Sequence, residues 1–172
     1  MRHLLLAGFL LTAPAALAQG VAAEPAPSES TAAATSAPVS PDVALLRAIL
    51  WTSEPAPDEI RAIAIEDLAL LGDARALGPL SALLGDPNPR VQTAAVRAVA
   101  LFQHPRAEEI LTSVVRSTRL PDALKIQALD GLLYQRTPSA KAAVEAASRD
   151  PRLPYAIQSA AMNVAARWGA AK

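Results

Sequence analysis

Proline recurs at nearly equal intervals from residue 57 onward, at positions 57, 89, 121 and 154 of this 172-residue chain. Each of these prolines precedes a run of apolar residues at helical spacing. Proline is favoured in the first turn of a helix because its missing N–H would have no partner there. Alanines hold matching places in the four runs, at Ala64, Ala95, Ala128 and Ala161. A helical unit of about 32 residues therefore repeats along the chain.

Each unit contains a second break at about its midpoint. The breaks are Gly72-Asp73, His104-Pro105 and Thr137-Pro138, and another short apolar run follows each of them. Two helices per unit predict an α-solenoid, in which neighbouring units stack to bury one continuous core. Residues 42–51 are expected to form a helix that caps the first unit, and residues 155–168 the single helix of an incomplete last one. The polar residues of this last helix give it a modest cap. The alternative is that this end meets a partner or a second copy of the chain.

The stretch AIEDLALLGDARALGPLSALLGDPNPRVQTAAVRAVA, residues 64–100, resembles HEAT repeats, in particular the short HEAT-like repeats of phycobilisome lyase-related proteins. Its Leu-Gly-Asp turn and Asp-Pro loop carry the resemblance, whereas His104 and Thr137 replace the aspartate of Asp73 in later units. The resemblance implies an all-α solenoid of about three and a half HEAT-like repeats over residues 41–172. It also implies that the second helices line the inner surface.

The first 18 residues have the features of a secretory signal peptide. Arg2 and His3 precede an apolar stretch, and Ala16-Leu17-Ala18 provides small residues at a cleavage site after Ala18. We therefore expect a periplasmic or secreted protein, with an uncleaved membrane anchor as the alternative. Residues 19–40 are rich in Pro, Ala and Ser without apolar periodicity, and they are expected to form a disordered tether.

The sequence offers little for catalysis or for binding a metal or cofactor. It has no cysteine and only two histidines, of which His3 lies in the predicted signal peptide. His104 stands alone at a turn, where a capping role is expected. Neighbouring acids such as Glu108-Glu109 point in different directions on a helix and do not form a shared carboxylate site. We expect no enzyme activity, no cofactor and no metal, with a HEAT-like lyase or hydrolase as the less favoured alternative.

Charge is distributed unevenly along the mature chain. Residues 19–88 contain ten acidic residues and three arginines, whereas residues 89–172 contain twelve basic and six acidic residues. Such asymmetry concerns partners and association more than the fold. It allows salt-sensitive self-association, in which the basic end of one copy meets the acidic start of another. A nucleic-acid partner is not expected, because the chain is near neutral overall and poor in aromatic residues for stacking.

Four arginines form the strongest candidate binding feature. Arg116 and Arg119 recur 33 residues later as Arg149 and Arg152, so stacked units are expected to bring them onto one edge of the solenoid. The favoured interpretation is that they complement the dipoles at helix C-termini and cap the last carbonyls. The functional alternative is an anion-binding strip for acidic protein segments, lipid head groups or cell-wall anions. The candidate partner-binding residues are Arg116, Arg119, Arg149, Arg152, Glu109 and Ser113. The sequence thus predicts an exported, non-catalytic scaffold or adaptor that binds a protein or peptide, with an acidic partner favoured by the arginines. A self-assembling structural solenoid is the alternative.

Overall fold

The structure is a computed structural model that describes residues 40–52 and 56–170. The described residues lie within one compact unit, Ser36–Lys172. The predicted signal peptide and all of the predicted tether except Ser40 lie outside the described residues. Those two expectations therefore stay predictions.

Eight α-helices, joined by turns and two short 3-10 segments, make up the described part of the chain, and no strand occurs in it. The helices are α1 (Pro41–Trp51), α2 (Asp58–Leu71), α3 (Leu77–Ala82), α4 (Pro89–Leu101), α5 (Pro105–Arg116), α6 (Asp122–Gln135), α7 (Pro138–Arg149) and α8 (Tyr155–Ala170). The expectation of an all-α fold is confirmed, and all the helices from α2 onward except α3 begin where the prolines and mid-unit breaks predicted.

The helices pack in two layers. In one layer α2, α4, α6 and α8 follow one another, each against the next, and we call these the first helices. In the other layer α3, α5 and α7 follow one another, and each is the second helix of its unit. Helix α1 packs against α2 from the N-terminal side, as α5 packs against α6 and α7 against α8, so it takes the place of a second helix before α2. The alternation confirms a solenoid of stacked antiparallel helix pairs.

Side chains in the turns define where the second helices and α4 begin. The side chains of Asn88 and His104 each accept a hydrogen bond from a backbone N–H two residues further on, at 2.9 and 3.1 Å. Thr137 accepts one from the backbone N–H of Ala140 at 3.1 Å. Such N-caps satisfy donors that have no partner inside the helix. The expected turn-capping role of His104 is confirmed.

The second helix of the first unit is less regular than its sequence pattern predicts. It is divided into a 3-10 turn over Ala74–Ala76, the short helix α3, and a second 3-10 turn over Leu83–Gly85. Pro79 explains the break, because it has no N–H to donate to the carbonyl of Arg75 in a continuous α-helix. The residues before it take the tighter 3-10 form instead.

The core runs through all the units as one apolar cluster. The matching alanines Ala64, Ala95, Ala128 and Ala161 are all buried, and the last three belong to this cluster. Their small side chains let neighbouring helices approach closely. A close approach occurs at Gly131, where an added Cβ would lie 2.9 Å from the Cβ of Ala100 on α4. Small residues at matching positions therefore let neighbouring units stack closely.

Candidate partner-binding surface

The four predicted arginines lie at the ends of successive second helices, as their spacing indicated. Arg116 is the last residue of α5 and Arg149 the last residue of α7. Arg119 and Arg152 lie in the loops that follow these helices, and all four residues are exposed. Each of these two helices therefore ends in a cation, which complements the partial negative charge of a helix C-terminus.

The structure brings only two of the four arginines to a common hollow. The hollow has a volume of about 560 Å³ and lies between the loop that follows α5 and the loop that follows α7. Arg116 and Arg152 line it, whereas Arg119 and Arg149 do not. We call this feature the basic hollow; its remaining lining residues are Ser117, Thr118, Lys125, Asp150, Leu153 and Pro154. Of the four arginines expected on one edge, two therefore line the basic hollow and two lie outside its lining.

Lys125 is the cation at the basic hollow that the sequence analysis missed. Its side chain is only 7% exposed, and its Nζ lies 2.9 Å from Oδ1 of Asp122 in the first turn of α6. That bond uses one of the three N–H donors of the ammonium group. A lysine held in this way keeps its charge at a fixed place, in contrast to the exposed arginines beside it.

A repeated polar position explains why Lys125 lies there. The counterparts of Lys125 in the other first helices are Arg61, Gln92 and Gln158. Each of these three donates to a backbone carbonyl of the loop that precedes its helix: Arg61 Nε to Thr52 at 3.1 Å, Gln92 Nε2 to Asp86 at 2.7 Å, and Gln158 Nε2 to Leu153 at 2.8 Å. A polar donor one turn into each first helix was the signal in the sequence that could have identified Lys125.

The basic hollow has one carboxylate of its own, that of Asp150. Its Oδ1 accepts a hydrogen bond from the backbone N–H of Arg152 at 3.0 Å and lies 3.8 Å from the Nε of the same residue. The Arg152 side chain is 91% exposed. Ion pairs this exposed hold their partners weakly. The guanidinium of Arg152 is therefore available to another acidic group.

Glu109 and Ser113, the other two predicted contact residues, lie on α5 and are both exposed. The Ser113 hydroxyl donates to the carbonyl oxygen of Ile110 in its own helix at 2.7 Å. Spacings of four and three residues place Glu109, Ser113 and Arg116 along one face of α5. That face leads to the basic hollow, although neither Glu109 nor Ser113 lines it.

Three titratable groups in the described residues have displaced pKa values, and ion pairs within the fold explain all three. A hydrogen bond from Arg75 lowers the pKa of Asp73, and the same pairing raises the pKa of Arg75. Burial alone would raise the pKa of Asp86, but hydrogen bonds from Arg61 and from the backbone N–H of Asn88 outweigh it, and the pKa is lowered. These groups belong to structural contacts and not to the basic hollow.

Two further observations describe the ranges 40–52 and 56–170. No group of three or more His, Cys, Asp or Glu residues is arranged there to hold a metal ion. None of the helices has the length and apolar character needed to cross a lipid bilayer.

Stacked helix pairs with a repeated register define the chain as an α-helical repeat protein. In such a protein the exposed loops and helix faces are the surfaces that a partner can contact. The family model described as HEAT repeats matches residues 43–129. The chain therefore belongs to the HEAT-repeat family. A search of curated proteins finds no match. The finer resemblance to phycobilisome lyase-related repeats stays a prediction.

HEAT repeats serve in general as protein-interaction scaffolds, and the family is typically non-catalytic. Membership of the HEAT-repeat family therefore makes the exposed surfaces of the solenoid the candidate sites for binding a partner protein.

Proposed function

We propose that this protein is an exported, non-catalytic scaffold that binds an acidic segment of a partner protein at the basic hollow. The observation that carries the proposal is the convergence of Arg116, Lys125 and Arg152 on one hollow with a single carboxylate, Asp150. Three cations face two carboxylates, Asp150 in the lining and Asp122 paired with Lys125, so one positive charge remains in excess. The general role of HEAT repeats in protein interaction supports a protein partner.

The three cations would contact an acidic segment in different ways. Arginine binds carboxylates through two parallel N–H donors, and Arg116 and Arg152 are exposed enough to adapt to a ligand. Lys125 is held by Asp122, so it offers a charge at a fixed position. An aspartate or glutamate of a partner would contact Lys125, while neighbouring acidic groups would pair with the arginines.

The remaining candidate residues surround this contact. Arg119 and Arg149 are exposed near the basic hollow without lining it, so they would raise the local positive potential and speed association. Glu109 and Ser113 would lie beside a peptide that continues along α5. Their exposure leaves them accessible to such a segment.

A defined acidic peptide tests the binding site directly. We would measure the fluorescence anisotropy of a short labelled peptide rich in Asp and Glu, titrated with the wild type and with the double variant R116E/R152E. The matched control is R119E/R149E, which makes the same change in net charge outside the hollow. The hollow variant should weaken binding at least about tenfold, whereas the control should change it less than about threefold.

Two results would contradict the proposed site. Equal losses in both double variants would mean that the peptide responds to overall charge and not to the hollow. Unchanged binding in both would mean that the contact lies elsewhere. If the peptide result is the expected one, a pull-down from cell envelopes with the same three proteins identifies the natural partner. That partner should be captured by the wild type and by R119E/R149E but lost by R116E/R152E.

Export is supported by residues 1–18, whose charged start, apolar stretch and small-residue site match a cleavable signal. Expression of the full chain in a bacterium, followed by fractionation and N-terminal sequencing, tests it. A periplasmic or extracellular product that begins at Gln19 is expected. A product that stays in the cytoplasm with its first residues intact would rule out export but leave the basic hollow untouched.

A further inference from the structure

An apolar slot lies at the start of the described solenoid, between α1 and α2. It has a volume of about 650 Å³, and its lining includes Ala44 and Trp51 of α1 and Ile63, Asp67 and Leu71 of α2. The Ile63 side chain is 55% exposed. Isolated exposed apolar residues are common, but several grouped around one hollow mark an interaction surface.

Comparison with a later unit shows what this face of α2 is shaped to contact. Asp67 is the counterpart of Gly131 of α6, and Leu71 is the counterpart of Gln135. Gly131 is in close contact with Ala100 of α4, as described above. The Nε2 of Gln135 donates to the carbonyl oxygen of Ala100 at 2.8 Å. On α6, therefore, this face is the one that packs against the preceding first helix. The slot on α2 has the place and the lining for a first helix.

The opposite end of the described solenoid exposes the complementary face. Met162 of α8 is the counterpart of Ile65, Val96 and Leu129 in the earlier first helices. Those three side chains are 0% exposed, whereas Met162 is 48% exposed. Tyr155 and Ala166 are exposed on the same side of α8. This face of a first helix is the one that the next first helix covers in the earlier units.

Helix type and charge both favour a second copy of this chain as the occupant of the slot. Among the described helices, α1 is a second helix without a first helix before it, and α8 is a first helix without a second helix after it. Residues 40–52 and 56–88 contain seven acidic residues and three arginines, whereas residues 89–170 contain eleven basic and six acidic residues. Head-to-tail contact therefore brings the negative half of one copy toward the positive half of another, whereas head-to-head contact brings halves of like charge together.

We propose that the slot between α1 and α2 binds α8 of a second copy, so that α8 and the α1 of its neighbour together form one more complete HEAT unit. The contact would continue the packing that joins α4 to α6 and α6 to α8 within one chain. The two contacting surfaces differ, so after one contact the first copy still has a free slot or a free α8, and so does the second. Association therefore proceeds to open chains instead of stopping at a symmetric dimer. This surface is separate from the basic hollow.

Two single variants test the pairing, one at each surface. I63E places a charge in the slot, and M162E places one on the exposed face of α8. Both positions are partly exposed, so the fold should be kept, which circular dichroism would verify. Sedimentation velocity of the wild-type full chain should show a mass that rises with concentration. Each variant alone should have a dissociation constant for self-association more than about tenfold above that of the wild type. It should therefore remain a monomer at concentrations at which the wild type associates.

An equimolar mixture of the two variants gives the sharpest result. I63E keeps an intact α8 and M162E keeps an intact slot, so the mixture should form a one-to-one heterodimer and grow no further. The matched control is Y134E, because Tyr134 is an exposed apolar residue of α6 away from both ends. This control should associate as the wild type does.

Several outcomes would overturn the proposal. Self-association of M162E alone would mean that the slot pairs with itself or that another surface is used. A wild type that remains monomeric at every concentration would mean that the slot is filled by another part of the same chain or by a different protein. The peptide experiment on the basic hollow is unaffected by either outcome, because I63E and M162E lie outside that hollow.

Discussion

Arg61 of α2 and Asp86, in the turn before α4, form a buried ion pair across the first junction between units. Arg61 also donates through Nε to the carbonyl oxygen of Thr52 at the end of α1. Asp86 accepts a second hydrogen bond, from the backbone N–H of Asn88 at 2.8 Å. One guanidinium thus connects α1, α2 and the turn that leads into α4. The stability of the N-terminal units should depend strongly on this contact.

Removing the arginine should be costly because it leaves a buried carboxylate without its charge partner. We expect R61M to lower the free energy of unfolding by about 3–5 kcal/mol, the usual loss when one member of a buried pair is removed. The double variant R61M/D86N should recover part of that loss, because the amide oxygen can still accept from Asn88. Urea unfolding followed by circular dichroism measures both. A loss in R61M below about 1 kcal/mol would mean that the pair contributes little.

Acid should weaken the same contact. The pKa of Asp86 is lowered in the folded state, so its carboxylate stabilises the fold above the unfolded value of about 3.9. That contribution is lost as the pH falls through the lower pKa of the folded state. Melting temperatures of the wild type and D86N should therefore differ near neutral pH and converge below about pH 4. A difference that stays constant down to strongly acidic pH would contradict the assignment to Asp86.

Close packing of α4 against α6 predicts a clear difference between two glycine substitutions. In G131A the new Cβ would meet the Cβ of Ala100 at 2.9 Å and the side chain of Leu111 at 3.2 Å, so the helices must separate. We expect a loss of about 1–3 kcal/mol in unfolding free energy. G85A is the matched control, because an added Cβ there meets nothing within 4 Å. Equal stabilities of the two variants in urea would mean that α6 shifts without cost.

The repeat architecture could be predicted because its signals are local. A proline in the first turn and a run at helical spacing act within one helix, and Pro89, Pro105 and Pro138 each begin a helix as predicted. The break before α3 was also encoded locally, by Pro79. It was missed because the apolar positions of the first unit match those of the later ones.

The candidate surfaces could be predicted only in part because they depend on how neighbouring units pack. Spacing alone placed Arg116 and Arg149 at helix ends, but it could not show which arginines share a hollow. Within its own helix, Lys125 cannot be distinguished from an ordinary surface lysine. Its role becomes evident only when it is aligned with its counterparts Arg61 and Gln92. The slot was missed for a similar reason: the exposure of Ile63 follows from the lack of a covering helix among the described residues.

The repeated donor position has a consequence for how ligand binding and the junctions between units are connected. Alanine-lined helices present smooth surfaces that can slide with little change in contact, whereas a hydrogen bond to a fixed carbonyl is directional. Arg61, Gln92 and Gln158 each fix the position of a helix against the preceding loop through such a hydrogen bond. The bond of Lys125 goes instead to Asp122 in its own helix. A partner's carboxylate at Lys125 would take the role that a loop carbonyl has at the other three junctions. Occupancy of the basic hollow would then stiffen the middle of the solenoid as well as recruit the partner.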